Sequence, residues 1–116
     1  MYHYKVNMAL FEEKMVYDGD TLRLYIDLGF SQFTLQKLRL SRINAPEMRV
    51  DSHNKGVCSR DFLRSLLKEA KEKGKEVTVK TIKDRKGKYG RYLAELFFDD
   101  LNVNDFMLLE GMAKPY

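Results

Sequence analysis

Three arginines and one glutamate stand close together in the stretch RLSRINAPEMR, residues 39–49. The stretch begins as an alternating strand and stops at Pro46, which has no N–H to donate to a sheet. Charged groups also occur before it, in Asp18-Gly19-Asp20, and after it, in Lys88-Tyr89-Gly90-Arg91. Each group alone has an ordinary explanation, such as a turn, a solvated strand residue or a surface ion pair. Together they bring anionic oxygens and cations to the ends of predicted strands.

The acidic and amide side chains have the chemistry of a site for a hard divalent cation. Such cations take oxygen ligands from carboxylates, amides, backbone carbonyls and water. The oxygen donors at these strand ends are Asp20, the Asn44 side chain, the Ala45 carbonyl and Glu47, the last acting through a water molecule. Asp18 is expected to support these ligands and to add negative charge behind them.

The arginines complete a phosphodiester site. Arg39 and Arg91 are suited to grip a phosphate, because a guanidinium is planar and pairs with two phosphate oxygens at once. A carboxylate beside that phosphate can orient or deprotonate water. Glu47 is then a water-activating residue rather than a neutralising partner of Arg49, and the whole constellation predicts hydrolysis.

Period-two alternation predicts the strands that must position these residues. An apparent slip in the third strand, near Lys37, predicts a bulge. The predicted strands are Tyr2–Leu10, Thr21–Asp27, Phe33–Ile43, Glu76–Ile82 and Arg91–Phe98.

Two helices are predicted from apolar stripes and end signals. The first runs over Ser59–Lys73, with Ser59 as N-cap and Gly74 just past its end. The second runs over Val103–Glu110. The order of three strands, a helix, two strands and a helix is typical of a five-stranded Greek-key barrel of the OB type, an α+β fold. A helix-capped half-barrel would give a similar pattern.

Composition indicates one globular domain spanning residues 1–116. Hydrophobic residues make up 44% of the chain and charged residues 33%, which is too apolar for a disordered chain. The single Cys58 excludes an internal disulfide framework and a cysteine-based zinc site, and it is expected to be a buried or half-buried small side chain. A net charge of +4 mildly favours a polyanionic partner.

The sequence has no apolar run long enough for a membrane span and no hydrophobic signal-peptide region at its start. We therefore expect no membrane partner. The expected location is the cytoplasm if the chain is complete, or outside the cell if a signal peptide has been removed. The oligomeric state is not predicted.

These motifs, taken in order, resemble the staphylococcal nuclease (thermonuclease) family. The matching pieces are VYDGDTLRL (Val16–Leu24), LRLSRINAPE (Leu38–Glu47), KGV (Lys55–Val57), DRKGKYGRYLAELF (Asp84–Phe97) and VNDFMLLEGMAK (Val103–Lys114). The resemblance covers most of the chain from Val16 onward.

The resemblance implies an OB-fold barrel with helices and a calcium-dependent nuclease acting on DNA and RNA with little sequence preference. The second Asp of the D-G-D motif, a metal ligand in the family, is Asp20 here. The phosphate-gripping arginines correspond to Arg39 and Arg91, and the proposed general base corresponds to Glu47.

The resemblance also implies contacts with the substrate. Lys88 and Tyr89 match residues that contact a nucleotide's terminal phosphate. Tyr116 could stack on a base, with single strands preferred because their bases are free, or could simply pack on the barrel. The basic loop after Glu47 could follow a nucleic-acid backbone or be only solvated; its charged residues are Arg49, His53 and Lys55.

Asn44 departs from the family, in which an Asp metal ligand usually stands two residues before the proline. An amide oxygen can still bind calcium, but it carries no charge. We expect weaker calcium binding in an enzyme that remains active. The alternative is a weak or inactive OB module that binds single-stranded nucleic acid or a protein partner. The presence of Arg39, Glu47 and Arg91 together favours the enzyme.

Overall fold

A computed structural model describes residues 2–48, 55–83 and 92–116 of the chain. The strands within these ranges are β1 Tyr2–Val6, β2 Thr21–Asp27, β3 Phe33–Leu40, β4 Ile43–Asn44, β5 Val77–Lys83, β6 Tyr92–Phe98, β7 Leu101–Asn102 and β8 Lys114–Pro115. The helices are α1 Lys55–Glu72 and α2 Val103–Leu109, with 3-10 turns at Met8–Leu10 and Glu13–Met15.

Five strands close into a barrel. β2 pairs with β1 and β3, and β5 pairs with β1 and β6, all antiparallel. β3 and β6 then pair in parallel over Leu38–Leu40 and Tyr92–Ala94, which joins the two ends of the sheet. This arrangement confirms the predicted five-stranded OB-type barrel with a helix between its third and fourth strands.

The core forms because the apolar side of each strand faces the barrel interior. Leu22, Leu24 and Ile26 of β2 are all buried, as the alternation predicts. Helix α1 adds Leu63 and Leu67 to the same core. Burial of one such side chain stabilises the fold by about 1.5–3 kcal/mol, so these few residues contribute much of the stability.

Two predicted strands end earlier than expected. β1 stops at Val6 rather than Leu10, because the Asn7 side chain accepts the N–H of Ala9 and starts a 3-10 turn. β3 stops at Leu40, because Arg42 has a φ of +67° and turns the chain.

The bulge predicted near Lys37 is wrong. β3 pairs with β2 without interruption, from Phe33 opposite Asp27 to Arg39 opposite Thr21. The sequence suggested a slip because Phe33 and Leu35, although apolar, lie on the outer face, where they are 43% and 41% exposed.

Helix α1 begins at Lys55 rather than at Ser59, so Lys55, predicted to belong to the basic loop, lies in the helix. Ser59 is not an N-cap: it lies inside the helix, is buried, and donates its hydroxyl to the Met112 carbonyl at 2.7 Å. The expected end is confirmed, since Gly74 has a φ of +65° and the N–H of Lys75 bonds back to the Ala70 carbonyl. Cys58, expected to be buried or half-buried, is exposed.

The C-terminus returns to the end of β3. β8 pairs with β4, with Lys114 opposite Asn44, and the Tyr116 N–H donates to the Arg42 carbonyl at 3.0 Å. This long-range pairing holds the last residue beside the third barrel strand. Among the described helices, none has the length and apolar character needed to cross a membrane.

Candidate functional site

A cavity of about 470 Å³ lies where β2 begins and β3 ends. The predicted site residues that line it are Asp18, Asp20, Arg39, Asn44, Ala45, Glu47 and Tyr116. Three further predicted residues, Lys88, Tyr89 and Arg91, lie outside the described part of the chain, and their roles stay predictions.

Strand pairing explains why residues so far apart in sequence meet here. The first residue of β2, Thr21, lies opposite Arg39 near the end of β3. The N–H of Leu40 also donates to the Asp20 carbonyl at 2.8 Å. An antiparallel pair therefore brings the acidic turn before β2 to the segment after β3 that carries Asn44 and Glu47.

Asp20 is buried and its carboxylate is held in one orientation. Its Oδ2 accepts the N–H of Ala45 at 2.8 Å, and its Oδ1 accepts the Thr21 hydroxyl at 3.0 Å. Arg39 Nη1 lies 3.4 Å from the same Oδ2. A carboxylate oxygen can take about two partners, so Oδ1, which accepts one hydrogen bond here, retains capacity for a further ligand.

Arg39 uses only part of its guanidinium to fix its position. Nη1 donates to the carbonyls of Leu40 at 2.7 Å and Ile43 at 2.9 Å. Nη2 makes one long hydrogen bond, 3.5 Å, to Asn44 Oδ1, and Nε makes no hydrogen bond with another described residue. A fixed guanidinium with Nε and Nη2 still available can bind two oxygens of a phosphate.

Asp18 stands next to Asp20 in the half-buried turn. Its Oδ1 accepts the N–H of Asp20 at 3.0 Å. Burial first, and then contact with the Asp20 side chain, raise the pKa of Asp18 to about 6. Two carboxylates held this close repel each other when both are ionised, and a bound cation would reduce that repulsion.

Two glycines allow the segment of Ala45–Glu47 to lie between the acidic turn and helix α1. A Cβ on Gly19 would come within 1.8 Å of Ser59 Oγ and 2.8 Å of Ala45 Cβ. A Cβ on Gly56 would come within 2.1 Å of the Glu47 carbonyl oxygen. The segment is therefore tightly packed on its backbone side, while the Glu47 side chain is exposed.

The donors fit a hard divalent cation such as calcium by their chemistry. The cavity presents carboxylates from Asp18, Asp20 and Glu47 and the amide of Asn44, all oxygen donors. In residues 2–48, 55–83 and 92–116, no three His, Cys, Asp or Glu side chains group as metal ligands. The predicted site thus depends on Asn44 and the Ala45 carbonyl as well as on carboxylates.

Tyr116 packs against the candidate phosphate-binding arginine. The Arg39 guanidinium carbon lies 5.5 Å from the centre of the Tyr116 ring, in cation–π contact. The residue is nonetheless 86% exposed, so the other face of its ring is open to a nucleobase. Both sequence-level alternatives for Tyr116, packing and stacking, are compatible with this placement.

A polar network that the sequence did not predict supports the turn after β3. Asn104 is fully buried and donates to the carbonyls of Ser41 and Ala94, both at 2.9 Å. Glu95 accepts from Arg42 and Ser41. The available signal was an Asn in the apolar run of α2, where an unpaired amide would be costly.

Glu95 gives this network a testable dependence on pH. Burial disfavours its carboxylate, but hydrogen bonds from Arg42, Ser41 and Asn102 outweigh burial and hold the pKa of Glu95 below its ordinary value of 4.5. Because this pKa is lowered in the folded state, ionised Glu95 stabilises the fold above about pH 4.5. That stabilisation is lost as the pH falls below this value.

We therefore expect Glu95→Gln to lower the free energy of unfolding by about 1–2 kcal/mol at neutral pH. The deficit should shrink when urea unfolding is repeated well below pH 4.5, because the stabilisation by ionised Glu95 is lost as the pH falls. Glu110→Gln, at an exposed position, is the matched control and should change little at either pH. An equal deficit for Glu95→Gln at both values would contradict the role of its charge.

Comparison with known proteins identifies a family for most of the chain. A family model described as "Staphylococcal nuclease homologue" matches residues 37–116. No curated protein matches the chain. The match includes Arg39, Asn44, Glu47 and Tyr116, while Asp18 and Asp20 lie before it.

Proposed function

Because the chain belongs to the family of staphylococcal nuclease homologues, we propose that it is a calcium-dependent nuclease that hydrolyses DNA and RNA with little sequence preference. Membership of the family supports a nuclease or a nucleic-acid-binding module. The observation that favours the nuclease is one cavity containing the buried carboxylate of Asp20, the fixed guanidinium of Arg39 and the exposed carboxylate of Glu47.

The residues that would hold calcium are Asp20, Asn44 and the Ala45 carbonyl, with Glu47 reaching it through water. When bound, the ion would supply positive charge against a phosphate oxygen. Asp20 is already oriented for this role by the Ala45 N–H and the Thr21 hydroxyl. The chain thus contributes a ligand whose geometry needs little rearrangement on binding.

In the proposed reaction, Glu47 accepts a proton from a water molecule that attacks phosphorus. A bond forms between the water oxygen and phosphorus, and the bond to the leaving ester oxygen breaks in line with it, that oxygen taking a proton from solvent water. Arg39 donates hydrogen bonds to the equatorial oxygens as negative charge builds there. Arg91 is proposed to stabilise the same charge.

Cleavage of nucleic acids at alkaline pH with millimolar calcium tests this function. Single-stranded DNA, single-stranded RNA and duplex DNA of one mixed sequence should all be cut, the single strands faster. Cutting of none of them would refute the proposed activity and leave the binding module as the function.

That second candidate, a module that binds without cutting, is favoured by one observation. Asn44 lacks the charge of the family's usual ligand, and its Oδ1 faces Arg39 Nη2 at 3.5 Å. Binding of single-stranded DNA without any cleavage at high calcium would establish it.

The charge at position 44 should set the calcium requirement. We expect Asn44→Asp to lower the calcium concentration for half-maximal cleavage by about 10- to 100-fold, because a charged contact adds about 1.5–3 kcal/mol. Calcium titrations of the cleavage rate, supported by calorimetry of calcium binding, would measure the shift. Asn44→Ala serves as the control and should need more calcium than wild type. An unchanged requirement in Asn44→Asp would show that residue 44 is not a ligand.

A further inference from the structure

The outer face of the β2–β3 hairpin leads away from the candidate site. Residues paired across antiparallel strands point to the same face, so the Thr21–Arg39 pair at the site is followed by Arg23–Lys37 and then by Tyr25–Leu35. Phe33 comes last on this face. We call Arg23, Lys37, Tyr25, Leu35 and Phe33 the hairpin face.

The two cations of the hairpin face are gathered over one aromatic ring. Arg23 and Lys37 lie 5.4 and 5.6 Å from the centre of the Tyr17 ring. Neither takes part in an ion pair within residues 2–48, 55–83 and 92–116. Like charges directly opposite each other on a sheet are also unfavourable. A pair of cations held together without an anion is suited to a ligand that brings negative charge.

The same arrangement occurs at the site itself, where Arg39 packs on Tyr116 at 5.5 Å. The two clusters of cation and tyrosine are neighbours, because Arg23 and Lys37 are each two residues from the Thr21–Arg39 pair along their strands. The hairpin face is therefore continuous with the candidate phosphate-binding site.

Beyond the cations the hairpin face becomes apolar. Leu35 and Phe33 are 41% and 43% exposed, and Tyr25 is half-buried between them and Arg23. Phe30 is 99% exposed at the hairpin tip. The one carboxylate on this side of the described hairpin, Asp27, lies at the far end opposite Phe33, where it accepts the Gly29 N–H at 2.7 Å.

We propose that the hairpin face binds a single strand of nucleic acid that continues from the scissile phosphate, an inference that rests on the proposed nucleic-acid function. Arg23 and Lys37 contact the next phosphates, and bases stack on Tyr25 and Phe33. From Arg39 to Phe33 the strand extends about 20 Å, which is enough for several nucleotides.

A single strand fits this surface better than a duplex does. Aromatic side chains hold bases by stacking, and this requires the unpaired bases that a duplex does not offer. Stacking and backbone contacts are also insensitive to sequence. The hairpin face would thus favour single-stranded substrates without adding sequence preference.

The test is binding of a labelled single-stranded DNA of about 12 nucleotides, measured by fluorescence anisotropy in excess chelator. Arg23→Gln/Lys37→Gln should weaken binding at least about 10-fold. The slope of log affinity against log salt concentration, measured between about 50 and 200 mM, should also become less steep by about 1.4, because two phosphate contacts are lost. Binding of an unphosphorylated dinucleotide, whose single phosphate would lie at Arg39, should not change.

The matched charge control is Lys68→Gln/Lys80→Gln, which also removes two positive charges. Lys68 lies on α1, and Lys80 packs over the Phe97 ring at 5.3 Å, on β5 and β6. This control should bind within about twofold of wild type. Equal weakening in both double variants would overturn the proposal, since it would show an effect of net charge alone.

A second variant tests stacking in case the charge variant is unstable. Phe33→Ser should weaken binding of the long strand at least about fivefold, while Leu101→Ser should not. Leu101 is 42% exposed, close to the 43% of Phe33, but lies on β7. Wild-type affinity in both hairpin variants, with melting temperatures unchanged, would overturn the proposal. Equal affinity for duplex and single-stranded DNA would also overturn it.

The assay separates this inference from the proposed activity. Since it runs in chelator, binding does not depend on catalysis. If wild type cuts DNA with calcium but the hairpin variants bind normally, the hairpin face is wrong and the nuclease stands. If wild type cuts nothing yet the hairpin variants bind weakly, the nuclease is wrong and the hairpin face stands.

Discussion

Glu47→Gln is expected to lower the rate of DNA cleavage by about 100- to 10,000-fold, the range for loss of a general base. The amide keeps the size of the side chain but cannot accept a proton from water. Glu47 is exposed, and the packing of its segment comes from the backbone against Gly56. The protein should therefore stay folded. Initial rates on single-stranded DNA at saturating calcium would measure the loss.

Two controls make that result specific to catalysis. The melting temperature of Glu47→Gln should match wild type, and its affinity for single-stranded DNA in chelator should be close to wild type. Glu110→Gln, which removes an exposed carboxylate from the end of α2, should keep full activity. Activity of Glu47→Gln within a few-fold of wild type would exclude Glu47 as the base.

Arg39→Lys is expected to lower cleavage by about 100- to 1,000-fold even though the positive charge is kept. Arg39 holds the Leu40 and Ile43 carbonyls with Nη1, leaving Nε and Nη2 for the phosphate. A lysine has one compact ammonium and cannot serve both sets of acceptors in this geometry. Separate measurement of kcat and KM should show most of the loss in kcat.

Arg60→Lys is the matched control, because Arg60 lies on α1 and pairs with its neighbour Asp61. It should leave activity unchanged. A fall in melting temperature of Arg39→Lys is expected to be modest, as the lysine can retain one carbonyl contact. Full activity in Arg39→Lys would show that a positive charge alone suffices and that bidentate hydrogen bonding to the phosphate is not required.

Local patterns predicted those parts of the fold that local forces determine. Strict alternation predicted β2 over Thr21–Asp27. The end of α1 was predicted from Gly74, because glycine adopts a positive φ without steric strain. The pairing of β4 with β8 was not predicted, because it joins Asn44 to Lys114 across most of the chain. The start of α1 was missed because its first turn lacks the apolar stripe that begins at Phe62.

The candidate site was predicted by residue type but not by geometry. Motif spacing placed Asp20, Arg39 and Glu47 at strand ends, and the barrel brings them to one cavity. The contact of Arg39 with Tyr116 depends on the β4–β8 pairing, so no local signal carried it. An Asn in the apolar run of α2 was a signal for the buried Asn104, but its role was not predicted, because its partners belong to β6 and to the turn after β3.

The central claim is that this cavity performs calcium-dependent hydrolysis with an asparagine among its ligands. The most direct test is cleavage of labelled single-stranded DNA by the wild-type protein as calcium is raised, followed by excess chelator. We predict cleavage that rises with calcium up to concentrations on the order of 1 mM or above, and that stops when the chelator is added. No cleavage at any calcium concentration, with binding of the DNA intact, would contradict the claim.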